Sequence, residues 1–314
     1  MKSSLRLNFA EGFCGKREVA MNHKPLKLKK KAVATLTAWA LVLPSFIFLC
    51  VFTLYPIAQT LFGSLFSESL SQIHAAFAGV QNYINLFQDE VFLRAFWNNL
   101  IVALITVPVD IILATAMAVF TNTVKHGKWL VRLAFFYPVI LPMIAAANIW
   151  LFIYTPQYGL VGMLNSSWNL LGTPSTVLPA IIVMLVWKQS GYFMIFYLSG
   201  LQNISKEVYE AAKMDGAGSF RIFRSITWPL LRPITLFSFI IALTDSYKMV
   251  DYLYLMTDGG PNNSSNMLLY YIYQTGFNFW DIGKASTITS ILVVLLLLIS
   301  TVSFFRQDKR IVYS

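Results

Sequence analysis

Residues 133–187 read LAFFYPVILPMIAAANIWLFIYTPQYGLVGMLNSSWNLLGTPSTVLPAIIVMLVW, and this stretch contains no charged side chain. The whole chain of 314 residues has the same character: 57% of its residues are hydrophobic and 12% are charged. The mean hydropathy is +0.61. Soluble domains contain about 45–50% apolar and about 25% charged residues. A soluble core cannot hide so much apolar surface, so the sequence predicts a protein that is surrounded by lipid.

Six apolar segments are each long enough to cross a membrane as a helix. A hydrocarbon core about 30 Å thick needs about 20 residues of α-helix. Lipid offers no hydrogen-bonding partner to an unpaired backbone group, so spanning segments must be helical. The sequence therefore predicts an all-α polytopic membrane protein with six transmembrane helices. The predicted spans lie near residues 36–56, 98–120, 133–154, 178–200, 233–256 and 285–305.

Lysine and arginine are concentrated at alternate ends of these spans. Nine of the 24 lie in residues 1–35, three in 121–133, five in 200–232 and three in the tail (Arg306, Lys309 and Arg310). The alternate segments 67–97, 155–176 and 257–283 together carry one, Arg94. The positive-inside rule therefore predicts that both termini are cytoplasmic. The net charge of +10 is then explained by membrane insertion and contact with anionic membrane lipid. We expect no nucleic-acid partner, although the N-terminal arm leaves that role open.

The charge pattern divides the chain into three regions. We expect a basic cytoplasmic arm over residues 1–31, a transmembrane domain over 32–306 and a cytoplasmic tail over 307–314. No apolar run of signal-peptide length precedes the first span, so we expect no cleaved signal. Both Met1 and Met21 remain open as the start of translation.

Motifs for catalysis and for nucleotide binding are absent from the sequence. It contains no G-x-x-x-x-G-K-[ST], no H-E-x-x-H and no G-x-S-x-G. Its two cysteines, Cys14 and Cys50, cannot form a disulfide framework or a four-cysteine zinc site. The three histidines lie far apart along the chain. We therefore expect this chain not to be an enzyme and to hold no cofactor or metal of its own.

The largest predicted cytoplasmic segment, residues 201–232, has signals for two short helices. Ser205 is a suitable N-cap for a helix from Lys206 to Asp215, and Gly216 and Gly218 are expected to end that helix. A second helix is expected from Ser219 to Thr227, stopping before Pro229. Two adjacent alanines leave one face flat, which favours docking of another protein. A solvated loop that only anchors the topology is the alternative.

The same segment resembles a known family motif. Glu210-Ala211-Ala212 is followed after three residues by Gly216 and after nine more by Ile226-Thr227-Trp228-Pro229. This spacing resembles the EAA loop of ABC importer permeases, E-A-A-x3-G-x9-I-x-L-P, with Trp228 in place of leucine. The resemblance implies that loop 201–229 forms coupling helices that sit in a groove of a separate ATPase. It assigns that coupling role to Glu210, Ala211, Ala212, Asp215, Gly216 and Pro229.

Other segments are similar to the sugar-type permeases of this family. These permeases are relatives of the first (MalF-like) permease of maltose and glycerol phosphate importers. They are Asn98-Asn99-Leu100, Val186-Trp187-Lys188, Met256–Pro261, Tyr271–Tyr273 and Asp281–Ser286. The resemblance implies the type I ABC importer permease fold and a sugar-like solute: an oligosaccharide, a monosaccharide or a glycerol phosphate type. It implies a second homologous permease, an ABC ATPase dimer that binds ATP and Mg, and an extracytoplasmic solute-binding protein. The location implied is the cytoplasmic membrane of a bacterium or an archaeon.

Polar residues inside the spans are the candidates for a solute pathway. A charge at membrane depth costs about 2.5–3.5 kcal/mol on insertion scales, so each one needs a reason. Asp245, Lys248 and Asp251 are spaced to lie along one face of the fifth span, where Lys248 could also simply neutralise its neighbours. Asp110 is expected either to hydrogen-bond between helices or to line the pathway. The candidate pathway residues are Lys188, Tyr192, Asp245, Tyr247 and Lys248.

Two other functions stay open on the sequence alone. A secondary transporter driven by protons or sodium would use the intramembrane charges as a relay. A membrane-bound structural or signalling subunit would need no pathway.

Overall fold

The computed structural model describes residues 24–67, 76–248 and 250–308. The chain separates into two compact units, one ending at Ile57 and the other beginning at Ala58. The described part of the first unit is helical. Helix α1 (Lys24–Leu49) contains Pro44 and runs into a π turn (Cys50–Leu54) and then into α2 (Tyr55–Gly63). The predicted arm over residues 1–31 and the two candidate start sites lie largely outside the described residues, as does most of the predicted tail.

The second unit is built almost entirely from helices. A two-residue antiparallel pair, β1 (Phe66–Ser67) and β2 (Ala76–Phe77), precedes them and was not predicted. The helices are α3 (Gln81–Leu86), α4 (Glu90–Thr123), α5 (Lys128–Ile140), α6 (Met143–Tyr154), α7 (Leu160–Leu164), α8 (Val177–Asn203), α9 (Lys206–Met214), α10 (Ser219–Ile222), α11 (Trp228–Leu230), α12 (Arg232–Lys248), α13 (Asp251–Met256), α14 (Leu268–Tyr273) and α15 (Ile282–Asp308). Further π turns occupy Phe223–Thr227 and Gln274–Asn278.

Four helical stretches in the described residues are long and apolar enough to cross a membrane: Thr35–Gly63, Glu90–Thr123, Val177–Asn203 and Ile282–Ser303. Two bent pairs also qualify, α5 with α6 at 96° and residues 219–230 with α12 at 67°. The prediction of six spans therefore agrees with the structure when each bent pair counts as one span.

The third predicted span, residues 133–154, is broken rather than continuous. Leu141 and Pro142 have extended backbones, with ψ of 135° and 145°. A proline disfavours the helical conformation of the residue before it and lacks the N–H that would continue the ladder, so α5 ends at Ile140. The break leaves the carbonyl groups at the end of α5 without helical partners.

The fifth predicted span, residues 233–256, begins with α12 but extends past its end. Helix α12 ends at Lys248, and Val250 has a φ of −123° before α13 begins at Asp251. Asp251 is an acidic residue in the first turn of this new helix, where the helix dipole favours it. Asp245, Lys248 and Asp251 therefore do not share one helix face, which corrects the sequence expectation.

Helices α4 and α8 form the centre of the second unit. Small residues let neighbouring helices approach closely, as is typical of packing in membranes. Ala114 and Ala118 of α4 are fully buried beside Met194 and Tyr197 of α8. At Gly191 of α8, an added Cβ would overlap the backbone carbonyl oxygen of Phe135 in α5.

A cluster that we call the outer clasp, Asp89, Tyr271 and Lys284, joins three helices on the predicted outer side. Asp89 caps α4 by accepting hydrogen bonds from the backbone N–H groups of Val91 (2.8 Å) and Phe92 (3.2 Å). Its other carboxylate oxygen accepts from the Tyr271 hydroxyl (2.7 Å) and pairs with the Lys284 ammonium group. The clasp therefore ties the start of α4 to α14 and α15.

Two asparagines hold the segment after α13 in place. The Asn98 amide donates to the carbonyls of Asn263 (3.0 Å) and Asn266 (2.9 Å). Asn99 accepts from the backbone N–H of Leu268 (2.9 Å) and donates to the carbonyl of Ser246 (3.2 Å). Residues 257–283, one of the predicted outer segments, thus contain a helix, α14, that is anchored to α4.

Acid should loosen the outer clasp. Burial alone would raise the pKa of Asp89, but hydrogen bonds from Lys284, Tyr271 and Phe92 hold it below the usual 3.8. A carboxyl group with a lowered pKa stabilises the fold above its unfolded pKa, and that stabilisation is lost as the pH falls below about 4. We expect thermal melts in detergent to show an acid-dependent loss of roughly 2–4 °C that is smaller in Lys284→Met. Lys248→Met is the matched control, and an equal acid shift in Lys284→Met and wild type would contradict the clasp.

Candidate functional site

The predicted coupling segment is a helix, a turn and a second helix. Helix α9 begins after Ser205, whose backbone is extended but whose side chain makes no capping bond. Glu207 lies in its first turn and Lys213 in its last, and both charges suit the helix dipole. The first helix predicted for this segment is therefore present, ending one residue before Asp215.

Gly216 ends α9 in a left-handed conformation with φ of +75°. The N–H of Gly216 donates to the carbonyl of Lys213, and the N–H of Ala217 donates to the carbonyl of Ala212, each at 3.0 Å. These two bonds form a Schellman motif, whose turn residue favours glycine because it has no Cβ. The structure thus gives a local reason for glycine at this position.

The second helix of the segment is longer than predicted. It runs from α10 through the π turn of residues 223–227 into α11, so it passes Pro229 instead of stopping before it. Pro229 lies in the first turn of the α segment after the π turn, where the missing N–H costs little. The hydroxyl groups of Tyr209 and Thr227 are 3.2 Å apart and link the two helices of the segment.

The six predicted coupling residues differ in their solvent exposure. Glu210, Ala211, Asp215 and Gly216 are exposed, Ala212 is buried and Pro229 is half-buried. The sequence reasoning missed two apolar neighbours of the turn, Met214 and Phe220, which are 88% and 76% exposed. Contiguous apolar surface marks contact sites for other proteins or for lipid, so these two side chains are candidates for such a contact. Their position beside Gly216 is the signal that would have identified them.

A small polar cavity lies among α4, α8, α12 and α13. Its volume is about 20 Å³, which is room for about one water molecule. The Ser190 hydroxyl donates to the Asp110 carboxylate (3.2 Å), so Asp110 does bond between helices. The polar residues that line the cavity are Thr106, Asp110, Gln189, Asp245, Ser246 and Tyr252.

The structure does not bring the five predicted pathway residues together. Asp245 lines the polar cavity, but Tyr192 packs edge-on against the rings of Phe193 and Phe196. Tyr247 is buried in the apolar core, and Lys248 is exposed at the end of α12. Asp110 and Gln189 line the same cavity as Asp245.

Lys188 was expected to line the solute pathway, but its surroundings are different. Its side chain is only 8% exposed, and its ammonium group donates to the carbonyl of Val139 (3.0 Å) at the end of α5. A cation near the C-terminus of a helix is stabilised by the helix dipole and by the unpaired carbonyls there. Lys188 therefore binds the broken end of the third span, away from the polar cavity.

Comparisons with known proteins agree with this fold. The family model described as "Binding-protein-dependent transport system inner membrane component" matches residues 21–312. The sulfoquinovosyl glycerol transport system permease protein SmoG of Agrobacterium fabrum is 34% identical over 276 residues, covering 85% of this chain and 89% of SmoG. The lactose transport system permease protein LacF of Rhizobium radiobacter is 31% identical, covering 87% and 94%.

A solved structure has the same architecture. It is a chain of a bacterial alginate ABC transporter in complex with an alginate pentasaccharide-bound periplasmic protein. The TM-score is 0.78, the sequence identity is 22%, and the match covers 90% of this chain and 98% of that chain. The predicted all-α type I importer permease fold is thereby confirmed. The chain belongs to the family of binding-protein-dependent transport system inner membrane components and is a permease subunit of an ABC importer.

Proposed function

We propose that this chain forms half of the translocation pathway for a sugar or sugar-like solute. The support is the chemistry named for its relatives: one permease serves sulfoquinovosyl glycerol and another serves lactose. Both solutes are glycosides rich in hydroxyl groups. Oligosaccharides and monosaccharides are the solute classes that agree with this chemistry, and the resemblance found in the sequence adds glycerol phosphates.

The coupling segment is the observation that carries the ATP-driven mechanism. It presents Glu210, Gly216 and the exposed Met214 around one turn, which suits insertion into a groove of another protein. We infer that an ABC ATPase dimer docks there and binds ATP and Mg. This chain then transmits the closure of the ATPases and performs no hydrolysis itself.

The polar cavity is our candidate for the part of the pathway within this subunit. Carboxylate and amide groups such as those of Asp110, Gln189 and Asp245 can bond to sugar hydroxyls. At about 20 Å³ the cavity is too small for a sugar, so transport requires α4, α8 and α12 to separate. ATP drives that change only if the closed ATPase dimer favours one permease conformation.

The remaining partners and the topology complete the proposal. A second homologous permease supplies the other half of the pathway, and an extracytoplasmic solute-binding protein delivers the solute. The chain crosses the cytoplasmic membrane of a bacterium or an archaeon several times, with both termini cytoplasmic.

Co-purification tests this proposal most directly. The chain is tagged at its C-terminus, extracted in mild detergent and analysed by mass spectrometry. We expect an ABC ATPase, a second six-span permease and a solute-binding protein, and the binding protein is then screened by thermal shift against sugars, uronates and glycerol phosphates. Proteoliposomes that contain the assembled complex should take up solute only when ATP is enclosed in the vesicle lumen. Recovery of this chain alone, with uptake driven by an ion gradient, would support the secondary transporter instead.

A further inference from the structure

A second, larger cavity lies between the later half of α4 and the segment that follows the coupling turn. Its volume is about 900 Å³. Apolar side chains of α4 form one wall and mostly aromatic side chains form the other: Ile112, Ala116, Val119, Phe220, Phe223 and Trp228. The cavity thus extends from a membrane-spanning helix to the predicted cytoplasmic segment.

Two arginines, Arg224 and Arg232, line the same cavity. Both are exposed, and among the side chains that the structure describes over residues 35–67, 76–248 and 250–303, the salt bridge between Asp89 and Lys284 is the one ion pair. Arg224 and Arg232 therefore have no carboxylate partner in that part of the chain. A guanidinium group presents its N–H donors in a planar fork that matches a phosphate group. The cavity combines two phosphate-binding cations with an apolar wall.

We propose that this cavity binds one anionic phospholipid of the cytoplasmic leaflet, with its phosphate on Arg224 and Arg232 and an acyl chain along α4. Basic pockets between membrane helices on the cytoplasmic side are suited to such head groups. The proposal depends on the cytoplasmic placement of residues 200–232 and does not depend on which solute is transported.

Charge distinguishes the phospholipid from the other possible occupants. The arm over residues 1–31 carries nine lysines and arginines and would be repelled by the arginine pair. An apolar helix of a second permease could cover the wall of α4, but it would leave two guanidinium groups without an anion. A phospholipid supplies the apolar chain and the anion in one molecule.

The position of the cavity gives the lipid a role in coupling. Phe220, Phe223 and Trp228 belong to the helix that directly follows the Gly216 turn. A lipid between this helix and α4 would transmit movement of the coupling segment to the membrane-spanning part. ATP hydrolysis that is stimulated by solute should therefore depend on the anionic lipid content of the bilayer.

Lipid binding is measured by native mass spectrometry on the complex purified through this chain and reconstituted in nanodiscs. The probes are phosphatidylglycerol, which is anionic, and phosphatidylcholine, which is zwitterionic. We expect wild type to retain phosphatidylglycerol preferentially. Each arginine should contribute about a fivefold change in affinity, so Arg224→Gln with Arg232→Gln should weaken retention about 25-fold.

Two further variants separate the site from general charge and from misfolding. Arg221→Gln removes the same charge from an exposed residue of α10 that does not line the cavity, and it should bind lipid as wild type does. Ala116→Trp keeps both arginines but fills the apolar wall, and it should also lose the lipid. Unchanged retention in the double variant, or an equal loss in Arg221→Gln, would overturn the proposal. A photo-crosslinker at Val119 that captures the second permease instead of lipid would do so as well.

Discussion

Gly216→Val is expected to abolish ATP-dependent uptake while the chain still inserts into the membrane. Gly216 is exposed and has a φ of +75°, and no atom of the structure lies within 4 Å of a Cβ added there. A left-handed backbone costs a residue with a Cβ about 1–2 kcal/mol, which is too little to unfold the protein. The added side chain can therefore act mainly on a docked partner. We expect uptake to fall more than about tenfold and the ATPase to be lost on purification.

Two control variants separate docking from backbone strain. Gly216→Asn adds a side chain but tolerates the left-handed conformation, so it should impair ATPase binding with little change in thermal stability. Gly218 has a φ of −70° and equally open surroundings, so Gly218→Val adds the same bulk without the strain. Size-exclusion profiles report folding, and ATPase co-purification reports docking. Normal uptake in Gly216→Asn, with loss of folded protein in Gly216→Val, would mean that Gly216 serves the turn alone.

Gly191→Ala should destabilise the protein severely, whereas Gly200→Ala should not. Both glycines lie in α8 and both are buried. A methyl group at position 191 would overlap the backbone carbonyl of Phe135, and a backbone cannot move aside without shifting α5. At position 200 the methyl group meets the side-chain ends of Leu231 and Ile234, which can rotate. Overpacking of a rigid contact costs about 3 kcal/mol.

Thermal unfolding in detergent measures this difference. We expect Gly191→Ala to lower the melting temperature by roughly 6–12 °C and to reduce the yield of monodisperse protein. Gly200→Ala should lie near wild type, because alanine is favoured over glycine in a helix by about 1 kcal/mol. Equal melting temperatures for the two variants would contradict the close approach of α5 to α8.

Hydrophobic length was enough to predict the long helices. Helices α4 and α8 coincide with predicted spans because about 20 apolar residues in lipid have no alternative to a helix. The end of α9 was also predictable, since Gly216 is a strong C-terminal signal. The break at Pro142 follows from the rule for the residue before a proline, and it was missed because hydropathy alone defined the third span.

The partners that side chains contact were harder to predict from the sequence. The depth of Lys188 in a span was evident, but its partner is a backbone carbonyl in another helix, which no side-chain pattern reveals. The end of α12 at Lys248 likewise has no proline or glycine beside it. The π turn before Pro229 depends on a shift in backbone bonding that residue types do not specify. Asp245 was identified as a pathway candidate, but its neighbours Asp110 and Gln189 depend on how three helices pack.

The bond between Lys188 and Val139 has a consequence for how the chain is made. A lysine near the middle of a span opposes entry of that span into the bilayer by about 2.5–3.5 kcal/mol. The carbonyl that accepts the hydrogen bond from the Lys188 ammonium group belongs to α5, which leaves the ribosome before α8 does. A third span that has already inserted thus offers a hydrogen-bond acceptor to Lys188 when the fourth span emerges. We therefore expect the insertion of the fourth span to be favoured by the bend in the third.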